Sequence, residues 1–380
     1  MAVEPFPLVE VSGPPQERGR KYGRLAAQRI KRGIGHYGRE LTKIGLGESE
    51  IAAMVRDFIP VIEDFDPSYV EEMRGIAQGC GEKFEQIALL NARTEILKMA
   101  RRKAARPVEP SEVVEDDGCT GAVLLPEATL DGKLIHGQNW DWKVDCAETG
   151  VVLKVRRDDG PDFMTFTEAG GLARAGLNAA GIAISANYLE SNLDYARAGV
   201  PLALIRRKVL EQAHFALALR AVATTPKSAS NNMIVSTAEG YAIDFECAPD
   251  EAFAIHPADG ILVHANHWVS SVALTKVKET GLVNTPDSLY RDVRVRQALL
   301  RDRGRLTVDH LRNAFFDDFA APWSVCRPPR TTFQGNLSAT VAMILMQPAA
   351  GLMEVCPLPA LQRDFTTYRL EPSASSRSVA

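Results

Sequence analysis

The run Asp116-Asp117-Gly118-Cys119-Thr120 places a thiol directly after a glycine, where a charged stretch gives way to a β pattern. A cysteine in that position can attack the preceding carbonyl. The amide becomes a thioester by an N→S shift, and water resolves it, leaving Cys119 as a new N-terminus. Gly118 favours this step because it has no side chain to block the attack and tolerates unusual backbone angles. The freed α-amino group titrates near ~7.7–8.0 and can serve as base for its own thiol, so nucleophile and base belong to one residue. Local pattern alone fits a plainer account as well: an Asp-Gly turn leading into a strand that begins with a small apolar cysteine. The other cysteines (80, 146, 247, 326 and 356) are widely scattered, form no CxxC pair and read as buried small apolar residues with reduced thiols.

The elements that must position Cys119 follow from periodicity. Helical spacing predicts helices over residues 16–44, 49–64, 68–81 and 83–98, with Ser68 capping the third and Gly79 and Gly81 ending it. Residues 101–118 are charged and contain proline, so they read as an exposed linker. Short apolar or alternating runs then predict strands, beginning with a hairpin of 119–126 and 134–142 turned at Asp131-Gly132. Further strands are expected within 150–157, 163–168, 182–188, 232–247, 261–268, 338–347 and 352–358. Helices are expected at 200–223 and 287–318, and a disordered Ser-rich tail at 372–380. Helices followed by many strands predict an α+β fold with layered sheets rather than alternating βαβ units.

Composition limits the function classes. The 380 residues are 46% hydrophobic and 24% charged, with a formal net charge of −4. That balance fits an ordinary globular protein and gives no basic footprint for nucleic acid. No run reaches the ~18 apolar residues of a membrane span. The first residues lack the basic-then-apolar pattern of a secretory leader, so a cytoplasmic location is expected.

Landmarks spread over residues 10–360 supply a wider context. In order they are LNARTEI (90–96), DGCT (117–120), GQNWDW (137–142), TEAGG (167–171), GLNAAGIAISANY (176–188), HANH (264–267) and SAT (338–340). Each is weak alone, but their order and spacing are specific. The sequence resembles the autoproteolytic acyltransferases and amidohydrolases typified by isopenicillin N acyltransferase, within the N-terminal-nucleophile (Ntn) hydrolase superfamily. The resemblance implies an αββα sandwich in which the nucleophile opens a strand beside a cleft. It implies that residues 1–118 become a small helical subunit and 119–380 a catalytic large subunit, the two staying associated as one folded unit.

The resemblance also assigns roles. Asp141 orients Cys119 and its amine, and Asn266 donates its side-chain amide to the oxyanion. Asn187 and Tyr188 supply a second oxyanion donor or merely end a strand polarly. Thr120 and Gln138 support the site from behind. Trp140, Trp142 and Trp268 either line an apolar acyl pocket or pack in the core. Some members carry Arg just before Ser-Ala-Thr, where this chain has Leu337. Either Arg327 or Arg330 substitutes, or the substrate is less polar. His264 and His267, at i and i+3 of a strand, would face opposite ways with no evident acidic cluster, so neither a metal nor a cofactor is expected.

The reading is an autoprocessed cysteine amidohydrolase acting on a small-molecule or peptide-like amide through an acyl thioester. One alternative passes the acyl group, for example from acyl-CoA, to an amine. Another is an unprocessed binding protein that has kept the fold but not the chemistry.

Overall fold

The computed structural model describes residues 3–104, 118–332 and 336–371. The N-terminal part comprises β1 (Leu8–Val11), α1 (Pro15–Leu25), α2 (Ala27–Lys43), α3 (Glu48–Phe65), α4 (Pro67–Cys80), α5 (Phe84–Asn91) and α6 (Arg93–Ala104). Then come β2 (Cys119–Leu124), β3 (Ile135–Lys143), β4 (Gly150–Val155), β5 (Phe163–Glu168), β6 (Ala175–Asn178), β7 (Ile182–Tyr188), α7 (Leu202–Leu210) and α8 (Phe215–Ala223). The remainder is β8 (Asn231–Thr237), β9 (Tyr241–Cys247), β10 (Ala252–Ile255), β11 (Ile261–His264), α9 (Ser288–Leu300), α10 (Val308–Phe315), β12 (Arg330–Thr331), β13 (Leu337–Gln347), β14 (Leu352–Pro357) and β15 (Thr366–Arg369).

Strands adjacent in sequence mostly pair antiparallel, and they build two sheets. One has the order β1-β4-β5-β6-β7-β8-β9-β10, and the other β11-β2-β3-β13-β14-β15 with β12 beside β13. Alternation along each strand explains the stacking. Val123 and Leu262 of the second sheet meet Ile234 and Ala242 of the first. The opposite face of the second sheet, with Ala122, Leu124 and Ile135, packs on Val295, Leu299, Leu311 and Phe315 of α9 and α10. The N-terminal helices and α7 share one core with the first sheet. The result is the four-layer αββα arrangement. His136 bridges the sheets, bonding Ser236 Oγ and Ser185 Oγ at 2.8 Å each, and burial pushes it down to about 3, so it is neutral.

Several boundaries differ from expectation. The single helix expected over 16–44 breaks at Ala26, because α1 is drawn along α4 while α2 turns away to meet α5. The helix over 83–98 breaks at Ala92. There Asn91 reaches across to Gly170 O and Leu172 N and ties the break to a sheet loop. The regions 200–223 and 287–318 each hold two helices. Asp66, not Ser68, caps α4 by accepting the Ser68 N–H at 2.9 Å, since Pro67 takes the first helical position. Helix α6 runs through Ala104, so the start of the expected linker is helical. Residues 105–117 and the tail 372–380 lie outside the described residues. Short strands β1, β10, β12 and β15 escaped the periodicity because two to four residues carry too little alternation.

Gly79 does not end α4 but sits inside it, and the reason is packing. A Cβ on Gly19 or Gly23 of α1 would stand 2.1 Å from Glu72 O or 2.2 Å from Ile76 O. Reciprocally, a Cβ on Gly75 or Gly79 would stand 2.2 Å from Gln16 O or Arg20 O. The two backbones touch, and buried Glu72 locks the pair by bonding Arg18 Nε at 2.7 Å and Arg207 Nη2 at 2.8 Å. Gly75→Ala is therefore expected to lower stability in urea unfolding by about 1–3 kcal/mol. Gly38→Ala, with nothing within 4 Å of the new methyl, is expected to be neutral or stabilising.

Candidate active site

The hairpin register puts Cys119 opposite Trp140, at the very start of β2. The peptide bond before it is held from both sides. Gly118 O accepts the Asp141 N–H at 2.9 Å, and the Cys119 N–H donates to Asn266 Oδ1 at 2.7 Å. Gly118 itself is buried with no room for a side chain. A Cβ there would lie 2.8 Å from Arg291 Nη2, 2.9 Å from Arg327 Nη2 and 3.0 Å from Asn266 Oδ1. Glycine is thus demanded by close approach.

Two arginines from the outer helical side brace this junction. Arg291 on α9 donates Nη1 to Cys119 O at 2.6 Å and to Thr120 Oγ1 at 2.8 Å, and Nη2 to Asn266 Oδ1 at 2.8 Å. Its Nε is fixed by Asp287 at 2.7 Å. Arg327 pairs with Asp141 at 3.2 Å and with Asp287. Asp141 also accepts Thr340 Oγ1 at 2.6 Å, where a register shift between Thr340 and Ala342 disturbs the β13–β3 ladder. Of the basic residues weighed for the Leu337 position, Arg327 is therefore the one at the site. Arg330 instead lies over the Trp323 ring at 5.3 Å, and Leu337 is 45% exposed.

The electrostatics suit a thiol awaiting a base. Burial, with the charge of Asp141 adding to it, pushes Cys119 up to about 12 in the continuous chain. Burial also raises Asp141 against the pull of Arg327 and Arg291. At Asp287 the balance reverses: burial opposes ionisation, but Arg327 and Arg291 outweigh it and hold the carboxyl below its ordinary value. Asp287 is thus the anion that pays for both guanidiniums.

The remaining expected residues fall into distinct places. Asn266 lies beyond the end of β11, and one acceptor and one donor contact of its side chain fix its orientation. Its Oδ1 faces the Cys119 nitrogen, and its Nδ2 donates to Tyr188 O at 2.8 Å. In the continuous chain it therefore grips the amide rather than facing an oxyanion. Asn187 departs from the donor role. Its N–H goes to Asn232 Oδ1 at 2.9 Å and its Nδ2 to His264 O at 3.0 Å, while Gln138 Nε2 bonds its Oδ1 at 3.0 Å. Gln138 and Asn187 are a clasp between sheets that sets the 264–267 turn. Tyr188 lines the recess with its ring, and Thr120 meets the site through Arg291.

His264 and His267 are not on opposite faces of one strand, since β11 stops at His264 and the rings stack 6.4 Å apart. An acidic pair does meet His264: Glu246 at 2.9 Å and Asp244 at 3.9 Å. His267 instead bonds Ser288 Oγ at 2.8 Å. No group of three or more potential ligands poised for a metal occurs among the described residues. No helix among them is long and apolar enough to cross a membrane.

Cys119, only 7% exposed, lies at a recess enclosing about 670 Å³ of empty space, its open mouth included. Leu97, Trp140, Trp142, Ala186, Tyr188 and Leu202 give it an apolar lining. Trp268 lies elsewhere, edge-on to Phe253, and is a core residue. Sequence reasoning missed Arg291 and Asp287. Their only trace is an i, i+4 charge pair of the kind found on any helix surface.

A 40 kDa acyl-coenzyme A:6-aminopenicillanic-acid-acyltransferase from Emericella nidulans is 27% identical over 322 residues, covering 84% of each chain. Among solved structures, a C2A mutant of the conjugated bile acid hydrolase from Clostridium perfringens is similar at TM-score 0.46 and 14% identity, covering 66% of this chain and 92% of that one. A penicillin V acylase from Agrobacterium tumefaciens is similar at TM-score 0.43 and 17% identity, covering 66% and 86%. The family model described as acyl-coenzyme A:6-aminopenicillanic acid acyl-transferase matches residues 128–356, more than half of the chain. This protein belongs to that acyltransferase family.

Proposed function

We propose that this chain is an autoproteolytically activated cysteine amidohydrolase. The observation that carries the reading is the Gly118–Cys119 peptide, held at both its carbonyl and its N–H beside a recess. In the first step the Cys119 sulfur attacks the Gly118 carbonyl carbon. The Asp141 N–H, already on that oxygen, stabilises the charge it gains. The thiol proton passes to the Cys119 nitrogen as the C–N bond breaks, leaving a thioester and a free amine. Water hydrolyses the thioester to a Gly118 carboxylate and the thiol.

The new amine replaces the amide in the contact with Asn266 Oδ1 and lies beside its own sulfur. In its neutral form it takes the thiol proton as sulfur attacks a substrate amide, then gives it to the leaving amine. After the cut, the Asn266 Nδ2 hydrogen that is not on Tyr188 O joins backbone N–H groups in holding the oxyanion. Water then releases the acid. Asp141 and Arg327 fix the hairpin end that carries these groups, and Arg291 fixes Cys119 and Asn266 relative to each other.

Denaturing mass analysis of the purified protein tests the first step. It is expected to give fragments 1–118 and 119–380, and iodoacetamide is expected to abolish turnover of amides. An intact, fully active chain would overturn the self-cleavage. A processed chain that is insensitive to alkylation would overturn the nucleophile.

A second reading has an amine, not water, accept the acyl group, with acyl-CoA as donor. The description of the matching family and that of the Emericella nidulans relative favour it. Supplying acyl-CoA with and without amines separates the two, since transfer yields a new amide and hydrolysis yields only free acid.

A further inference from the structure

The arginines of this protein follow a rule with one exception. Seven are buried among the described residues: Arg18, Arg93, Arg174, Arg206, Arg207, Arg291 and Arg327. Six have a carboxylate within 4 Å, as a buried guanidinium requires. Arg206, 8% exposed, has none, and its buried Nε has no hydrogen-bond partner. Its neighbour Arg207 shows the contrast, with Glu72 at 2.8 Å and Glu211 at 2.7 Å.

Arg206 is on α7 and lines the recess that holds Cys119. The other cations there are differently placed. Lys98 bonds Glu190 at 2.6 Å, Arg174 stacks on Trp140 at 4.1 Å with Glu168 at 3.6 Å, and Arg101 is only half-buried. Glu95, on α6 nearby, spends a carboxylate oxygen on the Leu202 N–H at the start of α7, at 2.8 Å. The nearby Glu95 carboxylate does not offset the burial of Arg206. Burial, with Arg93 adding to it, lowers its guanidinium to about 10.

We propose that Arg206 binds a carboxylate carried by the substrate, so that the enzyme selects amides bearing one negative charge. This rests on the reading of Cys119 as an amide-cleaving thiol. A carboxylate fits better than a phosphate, because one guanidinium neutralises one charge and a dianion would leave the second buried and uncompensated. The carboxylate belongs to either the acyl part or the leaving amine, and the test separates these.

The experiment uses processed wild type, Arg206→Leu and Arg206→Lys. Four probes are compared: glutaryl p-nitroanilide, its methyl ester, N-butyryl-4-aminobenzoate, and its methyl ester. Wild type is expected to prefer one acid over its ester by about tenfold or more. Arg206→Leu is expected to lose roughly 30-fold in kcat/KM on that acid, with less than about a threefold change on the ester. Arg206→Lys is expected to restore part of the loss.

Protection of Cys119 from iodoacetamide by monomethyl glutarate, compared with dimethyl glutarate, measures binding without turnover. Wild type is expected to be protected by the anion and Arg206→Leu is not. Equal losses on acids and esters, or unchanged discrimination and protection in Arg206→Leu, would overturn the assignment. Carboxylate protection in a processed enzyme that turns over none of the probes would count against the amidase reading and leave Arg206 standing.

Discussion

Cys119→Ala is expected to yield one full-length chain of 41.5 kDa with no detectable turnover, a loss on the order of 10⁴-fold or more. Both effects come from one atom, because the sulfur that would break the Gly118–Cys119 bond is the sulfur that would attack the substrate. Fold should be untouched. The side chain is small, and what braces the junction reaches the backbone: Asn266 on the N–H, Arg291 on the carbonyl. Cys80→Ala is the matched control. Cys80 is buried at the end of α4, where its thiol bonds Ala77 O, and its loss is expected to leave processing and turnover intact. Mass analysis with an amide-release assay checks both variants. Fragments from Cys119→Ala would mean that another nucleophile cuts the chain.

Gly118→Val is expected to slow appearance of the two fragments by about 10²-fold, the scale of a misplacement near 1 Å. A Cβ at this position meets two guanidinium nitrogens and the Asn266 amide oxygen at 2.8 to 3.0 Å. None of these can withdraw cheaply. Arg291 and Arg327 are both pinned by Asp287, and Asn266 is held by Tyr188 O and Ser288 Oγ. The valine must therefore move the Gly118 carbonyl away from the Asp141 N–H and from the thiol. The measurement is a time course of fragment formation, with thermal melting to show that the chain still folds. Processing at the wild-type rate would show that the grip on Gly118 has no part in the cut.

Much of the frame was legible from residue patterns. The hairpin at Asp131-Gly132 was readable because two alternating runs flank a turn whose glycine adopts φ +68°. That hairpin brings Asp141 beside Gly118, but its register is set by the whole connection 125–134, which includes a helical turn at Pro126–Ala128, and not by Asp131-Gly132 alone. Helix breaks at Ala26 and Ala92 were not readable. They occur where one helical face changes partner, and the sequence shows only that a face is apolar, not what it meets. The same limit hid the role of Gly75 and made Gly79 read as a helix end until the backbone of α1 is placed against them.

The site divides along the same line. Sequence by itself offered the nucleophile candidate and the glycine before it through their chemistry, and Asp141 and Asn266 through the family resemblance. Tertiary structure alone decided which charges act together. Arg291 is 172 residues from Cys119 along the chain, and Arg327 is further still. Asn187 left the list of donors once its bonds to Asn232 and His264 were seen. Arg206 and Arg207 are neighbours of one type in sequence, yet one is paired with Glu72 and the other points unpaired into the recess. The physical reason is that a charge is defined by what surrounds it, and its surroundings come from distant segments that only the packed layers bring together.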